Sequence, residues 1–255
     1  MSFKDKVVIV TGSSSGIGAA IAIKFAEEGA KVAIVGRNQE KLNNVAKKCG
    51  KPLVLVADVT KDEDAKKIVD ETVRVFGKLD ILVNNAGIGG SVSIQAENAM
   101  EIFDKLMNTN LRSVVYITHL ATPHLVKTKG NIVNMSSVAA LRAFAKETFS
   151  YSTSKAALDH FSRAVALELA SDGVRVNVVN PGPVRTDAFE NMGANKEQQE
   201  AIFKSMRDTT ALKRISDPHE TADLVLFLAS DKAKAITGSS YVSDNGVLFT
   251  TKNLN

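Results

Sequence analysis

Tyr151 and Lys155 stand four residues apart, a spacing that puts both on one face of a helix and within reach of each other. A phenol is a poor base at neutral pH, but an adjacent ammonium favours the phenolate. The pair could therefore move a proton to or from a substrate oxygen. Spacing alone is weak evidence, because a tyrosine and a lysine so placed also serve as a packed ring and a snorkelling amine. Ser136-Ser137, directly after an apolar run, and Asn110, in a long helical region upstream, add to it as plausible contributors to the same crevice.

A second constellation is Thr11-Gly12-Ser13-Ser14-Ser15-Gly16-Ile17-Gly18, which follows one apolar run and opens an amphipathic stretch. Without Cβ atoms in the way, a pyrophosphate can approach the unpaired N–H groups of a helix N-terminus. The spacing G-x-x-x-G-x-G differs from the G-x-G-x-x-G fingerprint, and an ordinary Gly/Ser-rich turn is the competing reading. The strand before and the helix after speak against that turn. Further on, Gly36-Arg37 ends the second apolar run, where a carboxylate would bind a ribose 2′-hydroxyl and a cation a 2′-phosphate. No acid stands there, and a guanidinium binds phosphate through paired, charge-assisted hydrogen bonds. NADP(H) is therefore expected over NAD(H). The competing reading makes Arg37 a surface residue near a helix start, since Ser15 supplies no second basic group.

These groups must be positioned by regular elements, and the chain alternates β-branched runs with amphipathic stretches. Strands are expected at Val7 to Val10, Lys31 to Val35, Leu53 to Val56, Leu79 to Val83, Asn131 to Met135, Val174 to Val179 and Ser240 to Val242. Helices are expected at Ile17 to Glu28, Gln39 to Lys48, Glu63 to Phe76, Ala99 to about Val126, Ser152 to Ala170 and Pro218 to Ala229. The rhythm breaks at 184–214, a polar stretch with apolar positions at Phe189, Met192, Ile202, Phe203 and Met206, read as a candidate substrate lid. The pattern predicts an α/β fold, one doubly wound parallel sheet of about seven strands with helices on both faces, over residues 1–255 as a single domain. Ligands of such sheets bind at the carboxyl ends of the strands, and the polar motifs do follow strands.

The 255 residues carry 32 Lys plus Arg against 28 Asp plus Glu, a net +4 that is interspersed rather than clustered, which argues against a nucleic-acid surface. A single cysteine, Cys49, excludes an internal disulfide, and four scattered histidines give no metal site. No apolar run approaches the roughly 20 residues of a membrane span. A soluble, cytoplasmic protein is expected.

In Thr11 to Gly18, Asp58, Asn84-Asn85-Ala86-Gly87, Asn110, Ser137, Tyr151-Ser152-Thr153-Ser154-Lys155 and Pro181-Gly182, taken in this order, the chain resembles the short-chain dehydrogenase/reductase family over essentially its whole length. The resemblance implies hydride transfer between a nicotinamide and a carbonyl or secondary alcohol. It implies that Tyr151 is the acid or base, that Ser137 binds the reacting oxygen, that Lys155 also holds the nicotinamide ribose, and that Asn110 orders a proton relay. Asp58 and Val59 would contact the adenine, Asn85, Ala86 and Gly87 would lie along the cofactor, Pro181 and Gly182 would follow, and Val184 and Thr186 would hold the carboxamide. Two departures stand out. The interval from Ser137 to Tyr151 is about one residue longer than usual, which leaves open whether Ser136 or Ser137 faces the substrate; Ser137 is chosen. Asp244-Asn245-Gly246 replaces a common Asp-Gly-Gly.

Val138, Ala139, Leu141, Phe144 and Phe149, with the apolar lid positions, suit a lipophilic ketone or alcohol such as a steroid or isoprenoid; the competing reading is that they fasten the lid to the core. The alternatives are a 3-oxoacyl-thioester reductase acting on acyl carrier protein, which Lys127, Lys129, Lys213 and Arg214 could meet, and, in another class, a noncatalytic NADP(H)-binding sensor. Relatives of this kind assemble as dimers or tetramers, so a homo-oligomer, a homotetramer for preference, is expected. Leu158, Phe161, Val165 and Leu169 follow helical spacing, which core packing explains equally well.

Overall fold

The computed structural model describes residues 2–187 and 193–250. Its elements run β1 (Val7–Thr11), α1 (Gly16–Glu27), β2 (Lys31–Gly36), α2 (Gln39–Ala46), β3 (Leu53–Val56), α3 (Asp62–Phe76), β4 (Ile81–Asn84), α4 (Ala99–Met107), α5 (Ser113–Thr128), β5 (Asn131–Met135), α6 (Phe149–Leu169), β6 (Arg175–Pro181), α7 (Lys196–Thr209), α8 (Pro218–Ala229) and β7 (Ser240–Ser243). Among the described residues the strands form one seven-stranded parallel sheet in the order β3-β2-β1-β4-β5-β6-β7. The order reverses between β1 and β4, so the loops leaving these two strands splay apart and open a crevice at their carboxyl ends.

Both faces of the sheet are covered, which is why its strands are apolar throughout rather than alternating. In β1, Val8 and Val10 point into one layer with Ile21 and Phe25 of α1, Leu42 of α2 and Val225 of α8. Val7 and Ile9 point into the other, with Ile68 of α3, Ile117 of α5 and Ala166 of α6. Side chains alternate across a strand, so one five-residue run serves two cores.

The expected elements are present, with three informative differences. The long helical region from Ala99 is broken by a π turn at Asn108–Arg112 between α4 and α5. Helix α6 starts at Phe149 rather than Ser152, which puts Tyr151 in its first turn. Residues 196–209, read as polar, form α7, opened by a capping box in which Asn195 accepts from the Gln198 N–H and the Gln198 side chain accepts from the Asn195 N–H.

The crossing of α1 over β1 is the tightest approach. A methyl group on Gly18 would lie 2.3 Å from the Gly12 carbonyl oxygen and 2.4 Å from Asn85 Nδ2. Gly18→Ala is accordingly expected to cost about 2 kcal/mol and lower Tm by roughly 4–8 °C in thermal unfolding. Gly89→Ala, where a methyl group meets nothing within 4 Å, leaves Tm unchanged.

Candidate active site

Two rows of hydrogen bonds hold the glycine loop. Thr11 Oγ1 accepts from the Asn85 and Ala86 N–H groups at 3.0 and 3.1 Å, and Asn85 Nδ2 donates to the carbonyls of Thr11 and Gly12. Ser13, fully buried, ties the loop to β2 by accepting from the Val35 N–H at 2.8 Å. The loop thereby turns through Gly12 at φ +66° and Gly16 at φ +55°, a left-handed conformation that glycine adopts without strain. Ser14 lies against Gly36, and Thr186 lies over Gly16 with its Cβ 3.1 Å from where a Gly16 methyl would sit. Ser15 is the N-cap of α1 but its side chain makes no cap, and the first turn, with Ile17 in it, has no acidic residue. The N–H groups there remain available to an anion, and bare backbone surrounds them: the loop fits a dinucleotide pyrophosphate.

Arg37 is exposed at the end of β2 and makes no hydrogen bond or ion pair among the described residues. Its charge acts on Asp58, beyond the end of β3. Burial works to raise the Asp58 carboxyl, but hydrogen bonds from the Thr60 N–H and hydroxyl, with Arg37 and Lys61, hold it below the ordinary range. Val59 beside it is buried.

At the ends of β5 and β6 Ser136, Ser137, Tyr151 and Lys155 come together. Ser136 and Ser137 leave β5 with opposite fates: Ser136 Oγ donates to the Lys155 carbonyl at 3.2 Å, whereas the Ser137 side chain acts on the Tyr151 phenol and pulls it down against the effect of burial. Ser137 is therefore the one in contact with the phenol. Its Oγ also accepts from the Ala139 N–H at 3.1 Å, which caps a short 3₁₀ turn at Val138–Ala140 and fixes its direction. Before α6, Glu147 adopts φ +65°.

Lys155 is 5% exposed, donates to the Met135 carbonyl at 2.9 Å and lies 5.9 Å from the centre of the Tyr151 ring. Burial pushes its ammonium down to about 8, against the opposing pull of Asp159. Tyr151 is raised, not lowered, because burial outweighs the hydrogen bond from Ser137. The sequence-based expectation that Lys155 lowers the phenol therefore does not hold for the protein without cofactor, where desolvation is the larger effect.

Asn110 is fully buried in the π turn. Its Oδ1 accepts from the Ile88 N–H at 2.9 Å, and its Nδ2 donates to the Ile88 carbonyl and to Ser154 Oγ, both at 3.0 Å. This clamp joins the loop after β4 to α6. It brings Gly87 to the site: a methyl on Gly87 would lie 3.2 Å from Asn110 Oδ1 and 3.4 Å from Lys155 Nζ. Pro181 closes β6, and Gly182 follows with its N–H on the Ser243 carbonyl, pressed against Asp244. Val184 pairs with Ser216. Asn245 occupies φ +52°, a position asparagine tolerates in place of glycine, and bonds Arg214 and Ser216.

Of the apolar positions expected around a substrate, Val138 is buried, Leu141 is half exposed, Phe149 stacks on Phe103 at 6.4 Å, and Phe144 lies under Arg142. Phe203 is buried beneath Arg185, which also pairs with Glu200. Phe189 and Met192 lie outside the described residues. A cleft of about 440 Å³ between Arg185 and α7 includes none of Ser137, Tyr151 or Lys155.

Sequence reading missed Ser13, Ser154, Asp159 and Asn180. A signal existed for Asp159: it stands four residues beyond Lys155 on the same helix face, among Leu158, Ser162 and Ala166, where a lone carboxylate is out of place.

A family model described as enoyl-(acyl carrier protein) reductase matches residues 12–248. The chain is 35% identical to the L-fucose dehydrogenase of Bos taurus over 244 residues, which are 96% of this chain and 90% of that one. It superposes with a TM-score of 0.93 on a short-chain dehydrogenase/reductase of unknown function from Caenorhabditis elegans, solved with cofactor, at 36% identity over 98% of this chain and 97% of that one. It superposes with a TM-score of 0.90 on the L-sorbose reductase of Gluconobacter frateurii in complex with NADPH and L-sorbose, at 33% identity over 98% and 99%.

The depressed Lys155 has a consequence for stability. Between about 8 and the ordinary lysine range near 10.5 the unfolded chain holds this proton and the folded chain does not, so this group's contribution to stability rises with pH across that window. Below about 8 the cost of burying the charge is present in full. Chemical denaturation of the cofactor-free protein should show wild type gaining on Lys155→Met as pH goes from 8 to 10; a constant difference would contradict the assignment.

Proposed function

The chain belongs to the short-chain dehydrogenase/reductase family and is an oxidoreductase of alcohols or carbonyls, and on that premise we propose that it is an NADP(H)-dependent enzyme with Tyr151 as its acid-base residue. One observation carries the reading: the buried Lys155 lies 5.9 Å from the centre of the Tyr151 ring, and the Ser137 side chain acts on the same phenol. The loop from Gly12 to Gly18 supports the cofactor, and the exposed Arg37, with no acid beside it on β2, supports a 2′-phosphate.

When bound, the nicotinamide supplies or accepts the hydride. Tyr151, kept protonated by its burial, donates its proton to the carbonyl oxygen during reduction, and takes one back during alcohol oxidation. Ser137 donates a hydrogen bond to the same oxygen and stabilises the charge that develops there. Lys155 would hold the ribose hydroxyls and balances the charge left on Tyr151. Asn110 keeps the loop after β4, with Gly87, against Lys155, and orders the proton relay from its place beside Ser154. Asp58 and Val59 would hold the adenine, Asn85 and Ala86 support the loop that would lie under the cofactor, and Val184 and Thr186 would hold the carboxamide.

The substrate in this reading is a ketone or secondary alcohol with an apolar flank, such as a steroid or isoprenoid, because Val138 and the half-exposed Leu141 follow Ser137 directly. The stretch 184–214, with α7 inside it, acts as the lid of a single domain. The similarity to an L-fucose dehydrogenase and an L-sorbose reductase supports a second reading, a sugar or polyol. A dimer or tetramer is proposed on the exposed Met100 of α4 and Leu167 of α6. Among the described residues no helix is long and apolar enough to cross a membrane.

A panel of steroid ketones, ketoses and acetoacetyl-CoA, read by NADPH absorbance, identifies the substrate class, with greatest turnover expected for the lipophilic ketones. Tyr151→Phe should lower kcat/KM about 10³-fold and leave NADPH binding within about twofold. Ser137→Ala should lower kcat about 10²-fold, whereas Ser136→Ala stays near wild type. Arg37→Ala should raise KM for NADPH about tenfold without changing that for NADH; a wild type that prefers NADH removes the 2′-phosphate reading.

A further inference from the structure

We propose that Asp159 and Asn180 are positioning residues for the reaction: the buried Asp159 carboxylate orients the Asn180 amide, which in turn anchors the Ser137 backbone, while its charge sits one helical turn from Lys155. The proposal rests on the catalytic set assigned above.

The geometry is closed on all sides. Asp159 is 3% exposed on α6 and Asn180 is fully buried at the end of β6. Asn180 Nδ2 donates to both Asp159 carboxylate oxygens, at 3.0 and 3.3 Å, and to the Ser137 carbonyl at 3.1 Å. The Ser137 carbonyl is thus held from β6 while its hydroxyl meets Tyr151. Asn180 Oδ1, by contrast, has no partner. A buried amide that leaves its acceptor unpaired to place its donors is costly for stability, a pattern expected at sites kept for function.

A buried carboxylate has only a few ways to be tolerated, and one is a cation nearby. Lys155 and Asp159 are spaced i, i+4 on the inward side of α6. The groups around Lys155 are few. From its own helix Tyr151 and Asp159 act on it; β5 offers the Met135 carbonyl, the π turn Asn110, and the loop after β4 the Gly87 backbone. On α4, which packs against α6, Glu101, Asp104 and Lys105 are exposed. Asp159 is the charge that acts on Lys155, and it acts to keep the ammonium protonated. Charge and placement are separable roles, since the carboxylate supplies the first and the Asn180 amide transmits the second.

The test separates them. In the reduction direction, kcat/KM falls at alkaline pH as Lys155 loses its proton; a lipophilic ketone turned over by wild type is the probe, and the NADPH dissociation constant followed by fluorescence over pH 6–10 is the second readout. Asp159→Asn, which keeps the shape and removes the charge, should move both alkaline limbs down by about one pH unit. Asn180→Ala should lower kcat about tenfold with KM within about twofold and leave both limbs in place. Asp159→Glu, which keeps the charge and displaces it, should behave like Asn180→Ala in kcat and like wild type in its limbs, and serves if Asp159→Asn does not fold. Limbs unmoved in Asp159→Asn, with only a loss of Tm, or kcat unchanged in Asn180→Ala, would overturn the proposal. Tyr151→Phe measured alongside identifies the source of a failure: full activity there removes the catalytic assignment, and this proposal with it.

Discussion

An ammonium held out of water between β5 and α6 is the interaction on which the rest of the site depends. Lys155 cannot be solvated where it lies, so its environment must do what water would: the Met135 carbonyl accepts from it, the Tyr151 ring flanks it, and Asp159 sits one turn away. These demands fix the rotation of α6 about its own axis. Once that rotation is set, Tyr151 meets Ser137, Ser154 meets Asn110, and the Lys155 carbonyl accepts from Ser136. The burial that depresses the lysine also raises the phenol.

The sheet supplies the rigid floor, and polar groups inside it set its register to the helices. Asn84 Nδ2 donates to Asn134 Oδ1 across the β4–β5 pair and to Thr118 of α5, and Asn134 Nδ2 donates to Ser162 of α6. In an interior otherwise built from aliphatic side chains, whose packing is non-directional, these bonds admit one alignment. A sliding of α6 by one turn would strand several buried amides. The glycine loop meets the same floor from the other side of the switch point, where Asn85 and Thr11 join β1 to β4. The glycine loop and the Tyr151–Lys155 pair therefore stand on one hydrogen-bonded sheet.

Much of this was legible in the chain. Apolar runs bounded by glycine marked the strands because a strand buried on both faces has no choice but to be apolar. The glycine loop was legible because glycine adopts positive φ at residues 12 and 16 without strain and leaves room for the close contact at residue 18. The break at Asn108–Arg112 was not, since Ala99 to Val126 carries an unbroken helical pattern and the π turn arises from the packing of Asn110 against Ile88 and Ser154. Helix α7 was hidden by its polar face, although the Asn195 and Gln198 capping pair was there to be read.

By itself the sequence determined the β-α rhythm and the doubly wound sheet, and pointed to Tyr151, Lys155 and the glycine loop, because each follows from local periodicity, from residue type or from a short spacing. It left two adjacent serines indistinguishable. Only the tertiary structure separated Ser136, turned onto the Lys155 carbonyl, from Ser137, turned onto Tyr151. Only the tertiary structure brought Asp159 and Asn180, 21 residues apart, into hydrogen-bonding distance. It also decided the direction in which the tyrosine and the lysine titrate. The reason is common to all three: hydrogen-bond partnership and desolvation are properties of what surrounds a group, and here those surroundings come from strands and helices distant in the chain.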